Sequence, residues 1–85
     1  MPRAQHSADY QPVMALLRAL REEAELSQRE LGRALGKPQS WVHNCEVGNR
    51  RVDVAEFMAW ARACKVEPVE AFGRFVDSVG QQASP

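Results

Sequence analysis

Eighty-five residues suffice for one small domain, and a net charge of zero excludes a surface that is basic all round. With 45% hydrophobic and 26% charged residues the composition is ordinary for a globular chain, which excludes wholesale disorder. The opening "MPRAQHSADYQ" has no apolar run of signal-peptide length, and no stretch approaches the ~18 apolar residues of a membrane span, so the expected location is the cytoplasm.

In chain order, residues 1–10 read as a flexible N-terminal arm, residues 11–79 as the folded domain and residues 80–85 as a flexible tail. Pro12, Pro38 and Pro68 each stand where a helix can begin. A first helix is predicted from Pro12 to Ala24, with Val13, Leu16, Leu17 and Leu20 on one stripe. A second opens after Ser27, an N-cap that Glu30 completes as a capping box, and it buries Leu31, Ala34 and Leu35 before Gly36 ends it. A third follows the turn and stops at Gly48. Asp53 caps a fourth, running to Lys65 with Val54, Phe57, Met58, Ala61 and Cys64 on one side. Pro68 starts a fifth, where Val69, Phe72, Phe75, Val76 and Val79 form an apolar arc. No period-two strand pattern appears, so the expected class is all-α.

The third helix, within "GKPQSWVHNCEVGNRR", separates its side chains by type. Advancing about 100° per residue, Val42, Cys45 and Trp41 fall on an apolar stripe, whereas Gln39, His43, Val47, Ser40 and Asn44 occupy a second arc, most of it uncharged donors and acceptors. Solvated helix faces are usually Lys and Glu. A face of uncharged donors and acceptors instead suits a surface that reads a partner by hydrogen bonds. Charge is distributed to match: residues 27–52 hold five basic and two acidic side chains, while the segments on either side are net negative. The basic excess therefore coincides with the polar helix face.

Cys45 and Cys64 lie on apolar stripes without CxxC spacing and read as buried, reduced core residues. Two histidines and two scattered cysteines make no metal set, and no cofactor is expected. No Ser/His/Asp, Cys/His or paired-carboxylate arrangement is legible, so no catalytic residue is assigned.

Two short helices joined at a glycine, the second with a polar face, describe a helix-turn-helix. The stretch "LSQRELGRALGKPQSWVHNCEVGNRRVDVAEFMAWARACKVEP" resembles the Cro/repressor-like, or XRE-type, DNA-binding family. Gln28 opens the first motif helix, Gly32 is the small residue where the two helices cross, Gly36 makes the turn, and Val42 and Cys45 lock the second helix down. The ending "CEVGNRR" is similar to the family's Glu, any residue, Gly and basic loop. The resemblance implies a five-helix, lambda-repressor-like domain with the helix-turn-helix in helices 2 and 3. Lys37 departs from the pattern where an aliphatic residue is common, and His43 and Asn44 depart where Ser with Lys or Arg is common.

The same resemblance implies roles. Gln39, Ser40, His43 and Asn44 are candidate base contacts, since a Gln amide pairs bidentately with adenine, although His43 suits a phosphate equally. Gln28, Asn49, Arg50 and Arg51 are candidate phosphate contacts, with Arg29, Arg33 and Lys37 as flanking charge. Arg21 matches the family position that pairs with Glu46 and thereby orients the recognition helix. Trp41 is either partial core or a stacking platform.

The expected function is a sequence-specific, double-stranded DNA-binding transcriptional regulator, acting as a homodimer on an inverted-repeat operator. No membrane association and no small-molecule ligand are indicated. Phe72, Phe75, Val76 and Val79, with Trp60 at the margin, are the candidate dimer surface. A protein-interaction module or an antitoxin-type partner on the same fold is the alternative.

Overall fold

Reciprocal caps start two of the helices. Ser27 Oγ accepts the Glu30 N–H at 3.0 Å while Glu30 Oε1 accepts the Ser27 N–H at 2.8 Å, which opens α2 (Gln28–Leu35). Asp53 and Glu56 repeat the pattern at the start of α4 (Val54–Ala63), at 2.7 and 2.9 Å. Each box gives partners to N–H groups that the first turn leaves over, and such a cap is worth about 0.5–2 kcal/mol. The computed structural model describes residues 8–82, and its other helices are α1 (Gln11–Glu23), α3 (Gln39–Glu46) and α5 (Pro68–Gln82). The expected all-α, five-helix order is the one that forms. Among the described residues no helix is long and apolar enough to cross a membrane.

The core gathers one face from every helix. Leu16, Leu17 and Leu20 of α1 meet Leu31 of α2, Val42 and Cys45 of α3, Trp60 and Ala61 of α4, Cys64, and Ala71 of α5. Burying a Leu or Val side chain contributes about 1.5–3 kcal/mol, so these side chains supply the main driving force for closing five short helices around one centre. Trp60 is 0% exposed, and its indole N–H donates to the Leu17 carbonyl at 3.0 Å, so the one polar atom of the largest core side chain is satisfied. Arg74 joins α5 to α1 through both oxygens of Glu23, at 2.9 and 2.7 Å.

The turn between α2 and α3 depends on two glycines with different physical jobs. Gly36 has φ +69°, the left-handed conformation that closes α2. At Gly32 a Cβ would lie 2.6 Å from the Lys37 carbonyl oxygen, so backbone fills the space a side chain needs. The close approach brings α3 across α2, as the resemblance implied. The other two caps are less legible in sequence: Glu25 and Lys65 take φ 60° and 66° without being glycine. The Leu26 N–H then reaches the Arg21 carbonyl at 3.1 Å, and the Val66 N–H reaches that of Ala61 at 2.9 Å, ending α1 and α4 with six-residue backbone loops.

Several expectations are corrected. Trp60 does not stand at the margin of a dimer surface, because it is wholly inside the monomer's core. Ala34 is exposed: Leu31, Gly32 and Leu35 centre the inward arc of α2, and Ala34 falls about 110° off it. Val54 is 80% exposed, since it stands in the first turn of α4 at the rim of an apolar groove. Tyr10, read as part of a loose arm, is buried, and its hydroxyl accepts the Val52 N–H at 2.9 Å. The rest of the predicted arm, residues 1–7, lies outside the described residues. Helix α5 continues past Gly80 to Gln82, because Gly80 keeps a negative-φ helical conformation and glycine costs only about 1 kcal/mol there; of the predicted tail, residues 83–85 lie outside the described residues.

Candidate nucleic-acid interface

The faces projected for α3 separate in the structure. Val42 and Cys45 are fully buried, Trp41 is half-buried against the core, and Gln39, Ser40 and His43 are exposed, with Asn44 between. Pro38, the N-cap of α3, makes no side-chain cap bond, and its carbonyl accepts the Trp41 N–H at 3.0 Å. Arg29, Arg33, Lys37 and Arg51 are exposed around this face.

A hydrogen-bond network runs from the core to that surface. Arg21 donates from Nε to Glu46 Oε2 at 2.6 Å and from Nη2 to Glu46 Oε1 at 3.1 Å, and its Nη1 donates to the Leu26 carbonyl at 2.9 Å. Gln28 Nε2 donates to Glu46 Oε1 at 3.0 Å, and Gln39 Nε2 donates to Gln28 Oε1 at 3.2 Å. Glu46 at the end of α3 is thus tied to α1 and α2, while Gln39 at its start is tied to α2. The pair Arg21 and Glu46 is brought together as the resemblance implied, and the bond to Glu46 holds the Arg21 guanidinium above its ordinary pKa. The Gln28 amide, a candidate phosphate contact, links Gln39 to Glu46.

Beyond α3 the chain turns back on Asn44, whose carbonyl accepts the N–H groups of Asn49 and Arg50 at 3.0 and 3.2 Å. The Asn49 amide donates to the Asn44 side chain at 3.3 Å. Gly48, at φ 84°, makes this reversal possible. Arg50 and Arg51, alike in sequence, differ in their surroundings. Arg50 donates to both oxygens of Glu56, at 3.0 and 2.9 Å, and its guanidinium lies 4.9 Å from the Trp41 ring centre. Arg51 is exposed, with its guanidinium 4.7 Å from the Tyr10 ring centre. The Arg50 guanidinium, followed by the Asp53 N–H, pulls the Glu56 carboxyl below the usual carboxylate range. Trp41 packs on Trp60 at 6.2 Å and carries Lys37 on its ring at 5.2 Å, the partial-core alternative of the two.

Sequence reasoning missed Glu56 and Tyr10 as neighbours of this loop. The Asp53-x-x-Glu56 spacing signals the cap, but nothing in it signals that the same carboxylate receives Arg50. Burial raises both thiols, Cys45 and Cys64, the latter to about 11, so neither is a reactive nucleophile at neutral pH.

A family model described as a helix-turn-helix domain matches residues 15–72. An XRE-family like protein from Pseudomonas syringae pv. tomato is 37% identical, covers 86% of this chain and 89% of its own, and superposes with a TM-score of 0.78. The clp gene regulator ClgR from Corynebacterium glutamicum has the same fold, with a TM-score of 0.74 at 21% identity over 85% of this chain and 77% of its own. No curated protein matches. With the family model spanning most of the domain and the recognition-helix geometry in place, the chain belongs to the XRE-type helix-turn-helix family of DNA-binding transcriptional regulators.

Proposed function

We propose that the chain reads a specific double-stranded DNA sequence in the major groove and acts as a homodimer on an inverted-repeat operator. The observation that carries this reading is the exposed, uncharged hydrogen-bonding face of α3, held in register by the network through Gln28 and Glu46. Gln39 spends one amide hydrogen on Gln28, which leaves its second hydrogen for adenine N7 and its oxygen for adenine N6. Ser40, His43 and Asn44 are the further base-edge candidates. Arg51, Asn49 and the start of α2 at Gln28 supply phosphate contacts, which give affinity and register without sequence information.

For assembly, the support is an apolar surface on α5 with an adjoining groove. Phe72 is 55% exposed, Val76 is exposed and Val79 is half-buried, while Tyr10, Val13, Val54, Phe57 and Phe75 line the groove beside them. An uncovered patch of this kind in so small a domain favours self-association. A two-fold dimer would set two recognition helices about 34 Å apart, one helical turn of DNA.

Selection of bound sequences from a random duplex pool, followed by salt titration, tests this. The expected product is two inverted half-sites spaced by one turn, with affinity falling steeply as salt rises. No enrichment, or binding indifferent to salt, would favour the protein-interaction reading, which the zero net charge and the pairing of Arg50 with Glu56 support.

A further inference from the structure

Resting on that DNA-reading assignment, we infer that Arg50 is a positioning residue for the recognition helix, which it clasps to the first turn of α4, and makes no phosphate contact. Its guanidinium is engaged on its edge and on one face. Nη1 and Nη2 meet the two oxygens of Glu56 at 3.0 and 2.9 Å, Nη1 also donates to the Arg51 carbonyl at 2.8 Å, and the Trp41 ring centre lies 4.9 Å from Cζ.

Each of these partners is itself anchored. Glu56 accepts the Asp53 N–H in the capping box, so its carboxylate is fixed on α4. Trp41 sits in the first turn of α3 and packs on the buried Trp60. Arg50 therefore joins the start of the recognition helix, the loop that follows it and the next helix at one planar group, a task for which a bidentate fork is needed and a point charge does not serve.

Charge points the same way. Moving Arg50 to a phosphate would break its three hydrogen bonds and leave the Glu56 carboxylate without a cationic partner beside a polyanion. Arg51 has no such encumbrance: it is exposed, and among the described residues no carboxylate pairs with it. The two adjacent arginines divide the work, Arg51 gripping the backbone and Arg50 holding the helix that reads.

Four variants separate the roles by their salt titrations on the selected operator, each first verified as folded by circular dichroism. Arg50→Lys and Arg50→Ala should both weaken binding on the order of tenfold, the scale of a hydrogen-bonded ion pair, while the salt slope stays at the parent value. Glu56→Gln, which keeps an acceptor for the cap, should weaken binding in the same sense, and Arg51→Ala should lower the slope by about 1. The inference is overturned if Arg50→Lys binds like the parent, if Arg50→Ala lowers the slope, or if Glu56→Gln tightens binding by removing a repelling carboxylate. A parent that binds no duplex overturns the functional reading itself and this inference with it.

Discussion

The Arg21 guanidinium makes two hydrogen bonds to the Glu46 carboxylate, at 2.6 and 3.1 Å, where their side chains are only 12% and 3% exposed. Removing two charges from water is costly, so such a pair adds little net stability over apolar residues of similar shape. What it supplies is geometry. Glu46 ends the recognition helix, and its carboxylate collects Arg21 from α1 and Gln28 from α2, so α3 has one seat.

Arg21→Ala is therefore expected to destabilise the domain by about 3–5 kcal/mol, because it strands a buried carboxylate. Adding Glu46→Gln should restore part of the loss. Urea denaturation of the two variants decides it, and an Arg21→Ala protein that unfolds with the parent would show the pair to be incidental.

Lys65→Gly should have the opposite sign. Lys65 holds φ 66°, and an L-residue in that conformation costs about 1–2 kcal/mol that glycine escapes, less what glycine gives up in the flexible unfolded chain. A gain of about 1 kcal/mol in urea unfolding is the expected result. A loss would mean that the Lys65 side chain contributes more than its backbone strain costs.

These two positions mark where sequence legibility ends. Ser27 with Glu30, Gly36 and the Leu16, Leu17, Leu20 stripe are local signals, readable because cap, turn and period lie within a few residues of one another. Arg21 and Glu46 were found through family resemblance, as spacing alone does not pair residues 25 apart. Lys65 and Glu25 carry no glycine to announce a left-handed cap. Tyr10 is in register with Val13 and Leu17 but precedes Pro12, where the helix is read to begin, and only the folded chain puts its hydroxyl beside Val52. Trp60 was misplaced because its helix presents apolar residues over a wide arc, and packing decided which of them went inside. Arg50 and Arg51 are the same residue type in adjacent positions, and only their folded surroundings, Glu56 and Trp41 for one and Tyr10 for the other, distinguish them.

The buried thiols predict alkaline sensitivity. Cys64 is raised to about 11 by burial, against an ordinary cysteine value of about 8.5 in the unfolded chain. The unfolded state therefore loses its proton first, and the stability this group contributes is complete below about pH 8.5 and lost as pH rises toward 11. Urea midpoints should fall across that interval, and Cys64→Ala should fall less. Equal decline in both proteins would assign the effect to other groups.

Assembly is best probed at Phe72, whose ring is more exposed than that of Phe75 and less needed by the core. Phe72→Glu should leave the helical spectrum unchanged while reducing the mass in solution from dimer to monomer and abolishing cooperative binding to a whole operator. Light scattering at micromolar concentration gives the answer. A parent that is monomeric both free and on DNA would refute self-association through α5.

The central claim is that α3 reads bases, and Gln39 tests it most directly. Gln39→Ala should be titrated against the selected operator and against every single-base change within one half-site. A loss of about 1–3 kcal/mol is predicted on the parent site, with preference relaxed at one base pair and random duplex bound almost as before. An equal loss on every sequence, random duplex included, would contradict direct readout by this face.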